Sequence, residues 1–172
     1  LDKAFYATFD NVRPTGKPLL IALDVSGSMT SPISGSVLSS CEAVAALSLV
    51  HASVEDEVHT FGFAHQFVEL GIQKGMTLPQ ACRVAQKSNF GSTNCSLAVE
   101  YAIKQKLEVG GFIVMTDGEC NAGPHLNDRL RAYREQFVAD ARCVFVATCS
   151  NRFTLNDPKD KYGLDVAGFD PS

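Results

Sequence analysis

The chain has 172 residues, 45% hydrophobic and 20% charged, and a formal net charge of −4 from 15 basic and 19 acidic side chains. That length fits one domain with a sizeable core, and the composition is that of an ordinary globular protein. The acidic balance excludes a chain-wide electrostatic attraction to nucleic acid, and no apolar run approaches the ~20 residues of a membrane span.

Residues 1–18 read as a lead-in segment. It starts with Leu and not Met, does not read as a signal peptide, and points to a piece cut from a longer chain. Phe5, Tyr6 and Phe9 are its apolar anchors, and Pro14-Thr15-Gly16-Lys17-Pro18 is a loop. Leu19-Leu20-Ile21-Ala22-Leu23 is short, apolar and without polar alternation, which predicts a strand buried on both faces of a parallel sheet. It stops abruptly at Asp24-Val25-Ser26-Gly27-Ser28, where Gly27 is expected to let the backbone turn. A helix is predicted over 34–52, with Val37, Cys41, Val44, Ala45, Ser48 and Leu49 on its buried face. Residues 57–64 and 66–70 read as a hairpin turning at His65, which supplies an antiparallel edge strand. Thr77-Leu78-Pro79 is an N-cap signal opening a helix to about residue 87. A polar loop, 88–94, and a second helix, 95–106, follow it. Residues 111–117 repeat the first theme, an apolar strand closed by a carboxylate, Asp117. Then come a loop (118–125), a helix (126–138), a buried strand (141–148) and a last strand at 165–169. Strands alternating with helices predict an α/β fold, doubly wound around a mostly parallel central sheet, in one domain covering 1–172.

The six cysteines form no CxxC pair, and read as reduced thiols of a cytoplasmic protein, mostly small buried hydrophobes. His51, His59, His65 and His125 share no metal-ligand spacing. Arg129, Arg131 and Arg134 read as a solvated helix face, with an RNA-facing role as the sharper alternative.

The chemistry concentrates in five oxygen-bearing residues: Asp24, Ser26 and Ser28 on one loop, Thr93 on a second and Asp117 on a third. If the strands ending in Asp24 and Asp117 are neighbours where the strand order reverses, both carboxylates enter one crevice. Hard oxygen donors with two negative charges suit Mg²⁺ or Mn²⁺ and leave a position for water or an incoming anion. Asn94, Glu119 and His125 border this set as a second shell or ligand rim. Singly, each residue has a plainer reading as a helix cap or turn.

The pattern Asp24-x-Ser26-x-Ser28, Thr93, Thr116-Asp117-Gly118 resembles the metal-ion-dependent adhesion site of von Willebrand factor type A (vWA) domains. The stretches AFYATFDNVRPTGKPLLIALDVSGSM, GSTNCSLAVEYA and SNRFTLNDPKDKYGLDVAGFD resemble, more narrowly, the C-terminal domain of the Ro autoantigen (TROVE-module) family. That resemblance implies a Rossmann-like fold with Ser26, Ser28 and Thr93 holding the metal directly or through water. It also implies an open position for a carboxylate (Asp or Glu) of a protein partner. In the family, Y RNAs and misfolded small RNAs bind a helical-repeat ring that this chain lacks. Such domains add a final covering helix, so an apolar patch is expected near Val166 and Phe169, either left open or covered by another segment. Two other functions stay open beside metal-dependent binding. One is a Mg²⁺-dependent phosphatase or hydrolase with Asp24 as nucleophile. The other is a structural brace with a vestigial site.

Overall fold

The computed structural model describes residues 2–33, 35–86, 93–118, 120, 125–149 and 155–168. The apolar run forms strand β1, Leu19–Asp24, with all six residues buried. It pairs in parallel with β2 (Val58–Phe63) on one side and β4 (Gly111–Thr116) on the other. Beyond β4 lie β5 (Arg142–Ala147) and β6 (Gly163–Ala167), also parallel. Beyond β2 lies the short antiparallel β3, Phe67–Glu69. The sheet order β3-β2-β1-β4-β5-β6 reverses direction between β1 and β4. The expected sheet, mostly parallel with one antiparallel edge, is therefore present.

Strand alternation sends β1 side chains into two separate cores. Leu19, Ile21 and Leu23 meet helices α2 (Ser40–Val54) and α3 (Leu78–Ala85). Leu20 and Ala22 meet α4 (Leu97–Gln105) and α5 (Leu126–Gln136). The lead-in is anchored by the aromatic residues singled out in its sequence. Helix α1 (Asp2–Ala7) and a 3₁₀ turn, Phe9–Asn11, bring Phe5, Tyr6 and Phe9 edge to edge against the α2–α3 core. The Leu78 amide donates to the Tyr6 hydroxyl (2.8 Å), so this segment clamps the start of α3.

Three expectations need correction. Helix α2 begins at Ser40, well after residue 34, because Ser39 and Glu42 form a reciprocal capping box there. Val37 consequently stands outside the helix and is 98% exposed. The last strand, β6, starts at Gly163, before residue 165. It is an edge strand, so Leu164 and Val166 are 57% and 42% exposed. The apolar patch is thus present at Val166, while Phe169 lies outside the described residues. Among the described residues, no helix is long and apolar enough to cross a membrane.

Tyr133 of α5 fixes the entry to β4. Its side chain is fully buried, accepts from the Val109 amide at 2.7 Å and has the Leu107 carbonyl at 2.9 Å for its own proton. Tyr133→Phe keeps the ring but strands these backbone groups out of water. It should lower unfolding free energy by about 1–3 kcal/mol in urea titration; an unchanged midpoint would show that the hydroxyl holds nothing.

Candidate metal centre

β1 and β4 are neighbours at the point where the strand order reverses, so Asp24 and Asp117 arrive at one end of the sheet. The ladder pairs Leu23 with Met115. The next residues, Asp24 and Thr116, then touch: the Thr116 hydroxyl donates to Asp24 Oδ2 at 2.6 Å. The other carboxylate oxygen, Oδ1, accepts the Ser26 amide at 2.8 Å. This short Asp24–Ser26 turn leads into a 3₁₀ turn, Gly27–Thr30, pinned by the buried Met29. It leaves the Ser26 and Ser28 hydroxyls 3.1 Å apart, so two hard oxygens sit side by side next to the carboxylate. Gly27 is not one of the positive-φ glycines; that freedom is used instead by Gly118, at φ +104° just after Asp117. Gly118 donates its amide to the Thr116 hydroxyl (3.2 Å), which also lies 3.4 Å from Asp117 Oδ1.

Thr93 is buried, at 4% exposure. Its loop reaches the same sheet end because the Asn94 amide donates to the carbonyl of Ala64, the residue after β2, at 3.4 Å. Asn94 closes a local turn, its Oδ1 accepting from the Ser96 amide and hydroxyl. That makes it a scaffold for the Thr93 loop. His125 caps α5, with Nδ1 accepting the Asn127 amide at 3.4 Å. Glu119 lies outside the described residues.

Asp24 is completely buried. Burial lifts its carboxyl above the usual range; the hydrogen bonds from Thr116 and Ser26 oppose this, and the Asp117 charge adds to it. A buried carboxylate is costly without a counter-charge, and a cation between Asp24, Asp117 and the serine hydroxyls would supply one. The donor set fits a hard divalent ion of the Mg²⁺ type. Among the described residues no group of three or more His, Cys, Asp or Glu side chains could hold a metal. A centre here therefore depends on hydroxyl oxygens.

The role of Thr116 was not anticipated, although the parallel register of two carboxylate-ended strands contained the signal. The cysteines depart furthest from expectation. Cys41 and Cys143 are buried thiols, but Cys149 is exposed and Cys95 is bonded to Cys120. A uniformly reduced set is therefore not what the structure holds. The arginines are engaged in ion pairs: Arg129 with Glu100 (3.4 Å), Arg131 with Asp128 (3.8 Å) and Arg134 with Asp160 (2.7 Å).

A family model described as the Ro60 vWA domain matches residues 18–172. The RNA-binding protein RO60 of Caenorhabditis elegans is 37% identical over 172 residues, covering 99% of this chain and 27% of that protein. RNA-binding protein RO60 of Deinococcus radiodurans is 38% identical over 173 residues, covering 99% of this chain and 33% of that protein. The crystal structure of the D. radiodurans Ro (RSR) protein matches with a TM-score of 0.91 at 38% identity, over 99% of this chain and 35% of that one. Manganese-loaded Plasmodium vivax TRAP shares the fold alone, with a TM-score of 0.52 at 16% identity over 88% of this chain and 69% of that one. The chain spans about a third or less of the length of these curated relatives.

The raised Asp24 carboxyl has a signed consequence. The folded state keeps this proton to higher pH than the unfolded chain does. Its contribution to stability is complete below the ordinary carboxylate range and is lost as pH rises through the raised value. Without metal, Asp24→Asn should therefore melt above wild type at neutral pH, by about 2–4 °C for each kcal/mol of relieved burial. The gap should close toward about pH 4. Calorimetric scans that put the variant below wild type at neutral pH would contradict the assignment.

Proposed function

The chain belongs to the Ro60 vWA domain family, and from that membership we propose that it is a divalent-cation-dependent binding module. Asp24, Ser26, Ser28, Thr93 and Asp117 hold Mg²⁺ or Mn²⁺. The carboxylate of a protein partner's Asp or Glu fills the remaining position. The observation that carries this reading is the fully buried Asp24 carboxylate beside two hydroxyls 3.1 Å apart, where the sheet order reverses. Two carboxylates neutralise a divalent ion without a surplus of negative charge, so the ion still attracts an external anion.

RNA binding belongs to this reading at the level of a longer protein. The curated relatives are named RNA-binding proteins, and this chain matches about a third or less of each. Contact with Y RNAs or misfolded small RNAs is assigned to a part outside the chain, the helical-repeat ring that the family resemblance implies. A cytoplasmic location belongs to the reading too, and the Cys95–Cys120 bridge is the feature that sits least easily with a reducing compartment. Phosphoryl transfer by Asp24 fits less well than binding. Position 26 is Ser, so no second acidic residue follows Asp24 there to act as acid or base.

Titration calorimetry with Mg²⁺ and Mn²⁺ tests the site. Wild type should bind one ion, and Asp24→Ala and Thr93→Ala should each weaken binding by roughly tenfold or more. Equal affinity in all three proteins would remove the site and leave the structural-brace alternative. Turnover of an aryl phosphate that disappears in Asp24→Ala would move the protein to the hydrolase class.

A further inference from the structure

The bond between Cys95 and Cys120 plays no part in the binding function just described, yet it joins two of the loops that function depends on. Cys95 follows Thr93 by two residues, and Cys120 follows Asp117 by three. The two cysteines are 25 residues apart in sequence, with Cα atoms 6.0 Å apart, within the usual span of a disulfide. The bridge is thus a covalent strut between the Thr93 loop and the Asp117 loop. Hydrogen bonds hold both loops as well. A 3.4 Å hydrogen bond from Asn94 holds the first loop to the end of β2, and a 3.2 Å bond from Gly118 to Thr116 turns the second. Cys95 is buried and Cys120 is half-buried, so Cys120 is the more accessible partner of the bridge.

We propose that Cys95–Cys120 is a redox clasp on the cation site. Oxidised, it keeps Thr93 and Asp117 together and the site pre-formed; reduced, Cys95 and Cys120 lose that covalent tie and cation affinity falls. The proposal rests on the cation-binding reading above. Holding ligand-bearing loops in their bound arrangement removes an ordering cost from binding. In a reducing compartment the disulfides that do occur are typically transient or redox-sensing, and a bridge between two ligand loops is placed to act in that way.

The chemistry is thiol–disulfide exchange with a low-molecular-weight thiol such as glutathione. Its thiolate attacks Cys120 Sγ, the protein S–S bond breaks, and Cys95 leaves as a thiolate that takes up a proton. A second glutathione thiolate attacks the mixed disulfide at its glutathione sulfur. This releases the Cys120 thiolate, which is protonated, and glutathione disulfide. Two thiols are oxidised and one protein disulfide is reduced; glutathione disulfide drives the reverse. Cys41 and Cys143 are buried away from this exchange; Cys82 is free and half-buried, and Cys149, free and exposed, is the control.

The test is Mn²⁺ titration calorimetry on the wild-type chain oxidised with glutathione disulfide. The same protein is then reduced with a phosphine, freed of reductant by gel filtration, and finally reoxidised. Thiol alkylation and mass spectrometry verify the Cys95–Cys120 state at each stage. The oxidised protein should bind Mn²⁺ roughly tenfold more tightly than the reduced one, with full recovery on reoxidation. Cys95→Ser/Cys120→Ser should match reduced wild type, and Cys149→Ser should respond like wild type. Equal affinity in both redox states overturns the clasp and leaves the cation site standing. Absence of binding in both states removes the cation site and the clasp with it. The redox cycle on wild type decides the matter even if the double variant does not fold.

Discussion

A carboxylate held wholly out of water at the end of the central strand is the constraint around which this molecule is built. Asp24 follows five apolar residues of β1, has parallel strands on both sides, and its side chain is fully buried. Its two oxygens are divided between a backbone amide of its own loop and the hydroxyl of Thr116 on the neighbouring strand. The first bond shapes the turn that sets Ser26 beside Ser28. The second ties that turn to the Thr116-Asp117-Gly118 corner. One buried charge thus organises two of the three loops, and a cation is the group that best offsets its burial.

The rest of the fold serves to put those loops at one sheet end. Two apolar layers pack on opposite faces of β1, so the strand cannot shift register without turning its core side chains to the wrong face. Tyr133 fixes where β4 begins, and the register of β4 fixes where Thr116 and Asp117 end up. The third loop is positioned differently. Thr93 depends on the end of β2 through Asn94, and on the disulfide through Cys95. The same disulfide reaches the Asp117 loop through Cys120, so the redox clasp proposed above acts on both.

Much of this was legible in the sequence because burial on two faces leaves a plain mark. LLIAL and GFIVM have no polar alternation, and each stops at a Thr or Asp, so strand and site loop were readable together. Helix α3 was readable from the Thr77 and Pro79 signals, and the hairpin from alternation around His65. What escaped has physical reasons as well. Residues 35–39 have enough apolar character to pass for a first helical turn, but the Ser39–Glu42 box starts α2 later and leaves Val37 in solvent. The Cys95–Cys120 pairing depends on two loops meeting in space, which spacing along the chain does not encode. The Thr116 bond to Asp24 needed only the strand register, but that register is a property of the folded sheet.

The relatives of this chain are named for RNA binding, while the carboxylate and hydroxyl oxygens gathered at the sheet end would suit a cation. The most direct measurement is anomalous diffraction at the manganese edge from crystals of the chain soaked in Mn²⁺. The account predicts one strong peak against the Ser26 and Ser28 hydroxyls, between Asp24 and Asp117 and within reach of Thr93. A peak elsewhere, with that crevice holding only water at saturating Mn²⁺, would contradict it.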